Sequence, residues 1–124
     1  MLADASLQAV LATTDADRAR AFYEGVLGLR LLSDDGFGME FETGGGVFRI
    51  AKVREFAPQP FTVAGWRVAD VAATAQELAS RGVQFERYGG MGQDELGIWA
   101  APDGGRVAWF KDPDGNTLSI SGAG

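Results

Sequence analysis

The feature that most constrains this chain is an internal repeat. Two stretches carry the same succession of a short apolar strand, an acidic helix start, an amphipathic helix, a glycine stop and further strands. In the first copy Leu7, Ala9 and Leu11 alternate with Gln8, Val10 and Ala12, and Thr14-Asp15-Ala16-Asp17 follows as a helix start. Phe22, Tyr23, Val26 and Leu27 then fall at helical spacing, and Gly28 stands where a left-handed residue ends a helix. In the second copy Val63, Gly65 and Arg67 alternate with Ala64, Trp66 and Val68. A period of two puts side chains 63, 65 and 67 on one side of that strand and packs Trp66 under the helix. Asp70 caps a helix running to about Ser80, with Arg81 and Gly82 at its end. The two capping aspartates, Asp15 and Asp70, lie 55 residues apart.

The pattern predicts strands at Leu29 to Leu32, Met39 to Glu42 and Val47 to Lys52 in the first half. In the second half it predicts Val83 to Arg87, Arg106 to Phe110 and Thr117 to Ser121, so each half reads βαβββ and the class is α+β. Gly44-Gly45-Gly46, Pro102-Asp103-Gly104-Gly105 and Asp112-Pro113-Asp114-Gly115-Asn116 supply turns between them. Ala57-Pro58-Gln59-Pro60 is a stiff linker between the halves. Gly89 to Gln93 has no regular pattern, and Leu96 to Ala101 has room for a short extra strand or turn. A length of 124 residues suits one domain, 1–124, with module one at about 5–56 and module two at about 61–122.

Composition then removes whole classes of function. Apolar residues at 46% and charged residues at 23% are those of a folded globular chain. A net charge of −6 argues against nucleic acid, whose backbone needs a basic stripe, and against anionic membranes. No apolar run approaches the roughly 20 residues that span a bilayer, and Met1-Leu2-Ala3-Asp4 does not begin a secretory signal; the expected location is cytoplasmic. The absence of cysteine removes disulfides, thiolate metal sites and cysteine nucleophiles. The absence of histidine removes the commonest general base and the commonest transition-metal ligand, and with them any Ser-His-Asp chemistry. Any metal would rest on carboxylates, amides and water, as magnesium or calcium do.

The string Phe22-Tyr23-Glu24-Gly25-Val26-Leu27-Gly28-Leu29 and the turn Phe110-Lys111-Asp112-Pro113-Asp114-Gly115-Asn116, set in a duplicated βαβββ unit, resemble the vicinal oxygen chelate superfamily. That superfamily includes glyoxalases, bleomycin-resistance proteins and extradiol dioxygenases, and the likeness covers nearly the whole chain. It implies two βαβββ modules forming an open half-barrel, with metal ligands of the enzymes on facing strands of its concave surface. The first ligand position, seven residues before the capping aspartate, falls on Gln8; the second, on the fourth strand, falls near Arg49. The third falls on Val63 and the fourth, three residues after the asparagine of DPDGN, on Ser119. A cation, an aliphatic side chain and a hydroxyl replace three of four ligands, so the resemblance implies a member without the catalytic metal and with no other cofactor.

In place of a metal the cleft is expected to offer Gln8, Arg49, Arg67, Trp99, Trp109 and Ser119 to a ligand. Two arginines near a concave centre need an anion or a carboxylate partner, and the indoles suit a flat organic molecule. Glu40 and Glu42 read as a solvated strand face. The resulting expectation is a metal-independent small-molecule binder, a homodimer because relatives complete their clefts from two chains, with no catalytic residue. The alternatives are a glyoxalase-like or dioxygenase-like metalloenzyme (a lyase, isomerase or oxidoreductase) and a vestigial module that binds nothing. The acidic net charge favours a cationic ligand and the arginines an anionic one, so the sequence leaves ligand charge open.

Overall fold

The computed structural model describes residues 1–123, which fall into two compact units, Met1–Ala57 and a second from Pro58 onward. After a single 3-10 turn at Leu2–Asp4, the first unit runs β1 (Ala9–Thr13), α1 (Ala16–Arg20), β2 (Arg30–Asp34), β3 (Gly38–Thr43) and β4 (Gly46–Lys52). The second runs β5 (Thr62–Arg67), α2 (Val71–Ser80), β6 (Trp99–Ala100), β7 (Gly105–Lys111) and β8 (Thr117–Ala123). The strand orders are β1-β4-β3-β2 and β5-β8-β7-β6, the same mixed topology twice, with one parallel pair and two antiparallel pairs in each. The repeat read from the sequence is therefore a repeat of architecture, and the class is α+β.

Both helices start as their sequences require. The Asp15 carboxylate accepts from the Arg18 N–H and the Asp70 carboxylate from the Ala73 N–H, each satisfying a helix-end donor that would otherwise be unpaired. After Arg20 the first helix widens into a π turn, Ala21–Val26, in which the Leu27 N–H donates to the Phe22 carbonyl five residues back. The wider turn changes the expected stripe: Tyr23 is wholly buried, whereas Phe22, Val26 and Leu27 are half-buried. Tyr23 packs on Phe48 and Phe41 of the sheet, with ring centroids 5.2 and 6.0 Å away. Gly28, at φ 74°, then turns the chain into β2.

The core of the first unit is Leu11, Met39, Phe41, Phe48 and Ile50 beneath Tyr23 and Ala19. That of the second is Ala108, Phe110, Leu118 and Ile120 with Val71, Ala75 and Leu78 of α2. The DPDGN turn closes on itself: the Asp112 carboxylate accepts from the Asp114 and Asn116 N–H groups and from the Asn116 side-chain amide, and Gly115 takes φ 90°. Burying Asp112 is tolerated because these donors satisfy it.

Three local expectations change. Leu7 and Gln8 are exposed and precede β1 instead of opening it, because the partner strand β4 begins pairing only at Ala9. The strand expected at Val83 to Arg87 contracts to a single bridge between Phe85 and Phe110, and the short segment Trp99–Ala100 takes up the neighbouring stretch of β7 as β6. On β5 a register shift between Thr62 and Ala64 leaves Val63 at a bulge, so the simple alternation 63, 65, 67 holds only from residue 64 onward.

Candidate functional site

Each sheet has one face under its helix and one facing away, and the strand register states which residues share the second. In the second unit Gly65 of β5 lies beside Ser119 of β8, and Ser119 beside Trp109 of β7. One step along, Arg67, Ser121, Val107 and Trp99 form a row across all four strands. The intervening residues, among them Trp66, Ile120 and Ala108, belong to the helix side, as expected for Trp66. Period-two alternation thus places Arg67, Trp99, Trp109 and Ser119 together on one sheet face.

That face is graded. At one edge Trp99 and Trp109 stack with centroids 6.1 Å apart and planes inclined by 36°. Tyr88 adds an edge-on contact to Trp109 at 5.5 Å. In the middle are small residues: exposed Gly65, half-buried Ser121 and Val107, and buried Ser119. A Cβ on Gly65 would come within 2.3 Å of the Ser119 Oγ, so the missing side chain makes room for that hydroxyl. Among the described residues the Ser119 hydroxyl has no protein partner, yet no buried side-chain polar atom is left unsatisfied; the hydroxyl is open to the face. At the far edge Arg67 is exposed and makes no ion pair among the described residues.

Tyr88 and the loop that carries it were not singled out by the sequence. The Gln93 side chain organises the loop: it accepts from the Tyr88 N–H at 2.7 Å and donates to the carbonyls of Glu86 and Gly97 at 2.8 and 2.7 Å. Arg87 donates to the carbonyls of Asp94 and Glu95, and the Asp94 carboxylate accepts from the N–H groups of Leu96 and Ile98. Glu86, whose N–H donates to the Trp109 carbonyl, pairs with Lys111 at 3.4 Å. The only sequence signal for Tyr88 was its alternation with Glu86 against apolar Phe85. Gln93 had none, since a glutamine that completes a loop through backbone contacts looks like any surface glutamine.

The equivalent row of the first unit is Val10, Arg49 and Glu40. Arg49 Nη1 lies 3.8 Å from Glu40 Oε1, with both side chains about two-thirds covered, at 28% and 31% exposure. Arg49 lies over Gly38, where a Cβ would meet its Nη2 at 3.0 Å and the Ile50 carbonyl at 2.7 Å. Glu40, read from the sequence as a solvated residue, is thus half-buried and is the carboxylate partner that Arg49 needs. Asp35 lies in the turn before β3; N–H donation from Phe37 and Gly38 holds its carboxyl below the usual range, and the nearby charges of Arg49 and Lys52 add to this.

These residues do not fit the metal of the enzymes that the sequence resembles. Gln8 is exposed ahead of its strand, Arg49 brings a positive charge, Val63 occupies a bulge and Ser119 offers one hydroxyl. Among the described residues no three His, Cys, Asp or Glu side chains come together. A divalent ion that wants several oxygen or nitrogen ligands finds no such set.

The sequence profile of the Glyoxalase/Bleomycin resistance protein/Dioxygenase superfamily matches residues 6–120. A search of curated proteins gives no significant match. Among solved structures, the chain resembles a bleomycin resistance determinant encoded on transposon Tn5, with a TM-score of 0.75 at 24% identity over 95% of this chain and 97% of the other. TnmS3, an antibiotic binding protein from Streptomyces sp. CB03234, gives 0.74 at 22% identity, covering 100% and 99%. Lactoylglutathione lyase from Agrobacterium tumefaciens gives 0.73 at 18% identity, covering 96% and 93%. One fold thus serves a resistance determinant, an antibiotic binding protein and a lyase alike, and the fold alone does not decide function.

Proposed function

Because the chain belongs to the glyoxalase/bleomycin resistance protein/dioxygenase superfamily, we propose that its role there is to bind a flat organic molecule without a metal. The observation that carries this reading is the aromatic edge of the second unit. Trp109 contacts both Trp99 and Tyr88 beside the open Ser119 hydroxyl, on the face turned away from the core. Indoles left half-exposed there offer a large apolar area to a planar ligand, while the serine and Arg67 set its orientation. The loop bonds of Gln93 hold Tyr88 in place before any ligand arrives, which lowers the ordering cost of binding. Gln8 and Arg49, also expected to bind a ligand, belong to the first unit. Two structural relatives, a bleomycin resistance determinant and an antibiotic binding protein, are in keeping with this reading. No catalytic residue is assigned.

The test is fluorescence titration of chelator-treated protein with a panel of naphthalene derivatives. Quenching that saturates, and that weakens at least tenfold in Trp109→Leu, supports the reading; on the scale of a buried aromatic contact such a loss is about 1.4 kcal/mol. Absence of quenching at millimolar ligand, or a protein that purifies with stoichiometric nickel, zinc, iron or manganese, overturns it. Homodimerisation and a cytoplasmic location belong to the same proposal; sedimentation equilibrium and cell fractionation test them.

A further inference from the structure

The charge of the ligand, which composition left open, can be argued from the row Arg67, Ser121, Val107, Trp99. Strands are spaced by about 4.8 Å, so the ends of this row are about 14 Å apart at the backbone, with small or medium side chains between. The face has an apolar wall at one end and a cation at the other. Of the charges near the aromatic wall, Glu86 is paired with Lys111. Arg87 is spent on the carbonyls of Asp94 and Glu95. Arg67 is different: it projects from the same face as Ser119 and Trp109, and no carboxylate among the described residues pairs with it.

Resting on the reading of this face as a small-molecule site, we infer that its ligand is a planar aromatic anion, a carboxylate or sulfonate. Its ring system lies against Trp109 and Trp99, its anionic group reaches the Arg67 guanidinium, and the hydroxyls of Ser119 and Ser121 line its path. A guanidinium presents a planar fork that matches a carboxylate, so charge and shape are read together. The net charge of −6 does not oppose this, because local pairing rather than the total decides the potential at one face.

Three probes on the same ring system test the inference: 2-naphthoate, 2-naphthylmethanol and 2-naphthylmethylamine, each titrated against the 124-residue wild-type chain and Arg67→Gln with indole fluorescence as the readout. The expected result is that naphthoate binds about tenfold more tightly than the alcohol, that the amine binds worst, and that Arg67→Gln removes the naphthoate advantage, weakening the acid about tenfold and the alcohol far less. Raising salt should weaken naphthoate and not the alcohol. Equal binding of all three, or a preference for the amine, overturns the anionic assignment and leaves the aromatic binding site standing. An Arg67→Gln variant that weakens alcohol and acid alike also overturns it. Failure of every probe to bind overturns the binding reading itself, and the assignment with it.

Discussion

The two units have the same strand order and cap their helices with equivalent aspartates, yet the open faces of their sheets differ in kind. Counting from the caps, Val10 corresponds to Gly65, and across the sheets Arg49 corresponds to Ser119 and Glu40 to Trp109. In the first unit the row is an arginine satisfied by a glutamate. In the second it is a glycine, an open hydroxyl and an indole, with an arginine one step away that has no ion pair among the described residues. A face whose charges are already paired has little left to offer a ligand, whereas one that leaves aromatic area and a cation open has much. Duplication thus supplied one scaffold twice, and the side chains of the open faces made the units unlike.

The strongest way to break the contrast is to give the second unit the residue of the first. Gly65→Val places side-chain atoms where the Ser119 hydroxyl already lies, and should cost about 1–3 kcal/mol of stability in urea unfolding as well as probe binding. Adding Ser119→Gly should restore stability but not binding. A Gly65→Val protein as stable as the wild type would show that the close approach does not constrain the face.

A smaller effect is expected from unmasking the first unit's arginine. Glu40→Gln removes the carboxylate 3.8 Å from Arg49 and, because the pair is only partly buried, should change stability by less than about 1 kcal/mol. Urea unfolding checks this, and a loss of more than about 2 kcal/mol would contradict it.

The smallest effect concerns acid. Asp35 titrates below its ordinary range in the folded chain, chiefly because two backbone N–H groups donate to its carboxylate. Its contribution is therefore present above the unfolded-state value near pH 4 and is lost as pH falls through the lower folded value. Asp35→Asn should flatten the acid limb of a stability profile only below about pH 4 and leave neutral-pH ligand binding unaltered. A difference between variant and wild type that grows above pH 6 would contradict this origin.

Much of the scaffold was legible in the chain. The caps at Asp15 and Asp70, the glycine stop at Gly28 and the DPDGN turn are local devices, fixed by side-chain and backbone geometry within a few residues, and they appear where their spacing required. Alternation put Arg67 on the open face and Trp66 on the helix side, in keeping with the register, whereas Ser119 came from the resemblance. The strand expected at Val83 to Arg87 did not form, because whether an extended segment becomes a strand depends on a free edge to pair with, and Trp99–Ala100 shares that edge of β7.

What the sequence determined by itself was the duplicated α+β scaffold, its caps and turns, and the lack of any histidine or cysteine to ligate a metal or act as nucleophile. Tertiary structure alone decided which arginine is neutralised, which hydroxyl stays open and how Tyr88 reaches Trp109. These depend on register across strands and on the long-range bonds of Gln93, which bring together residues whose separation along the chain carries no signal of their contact.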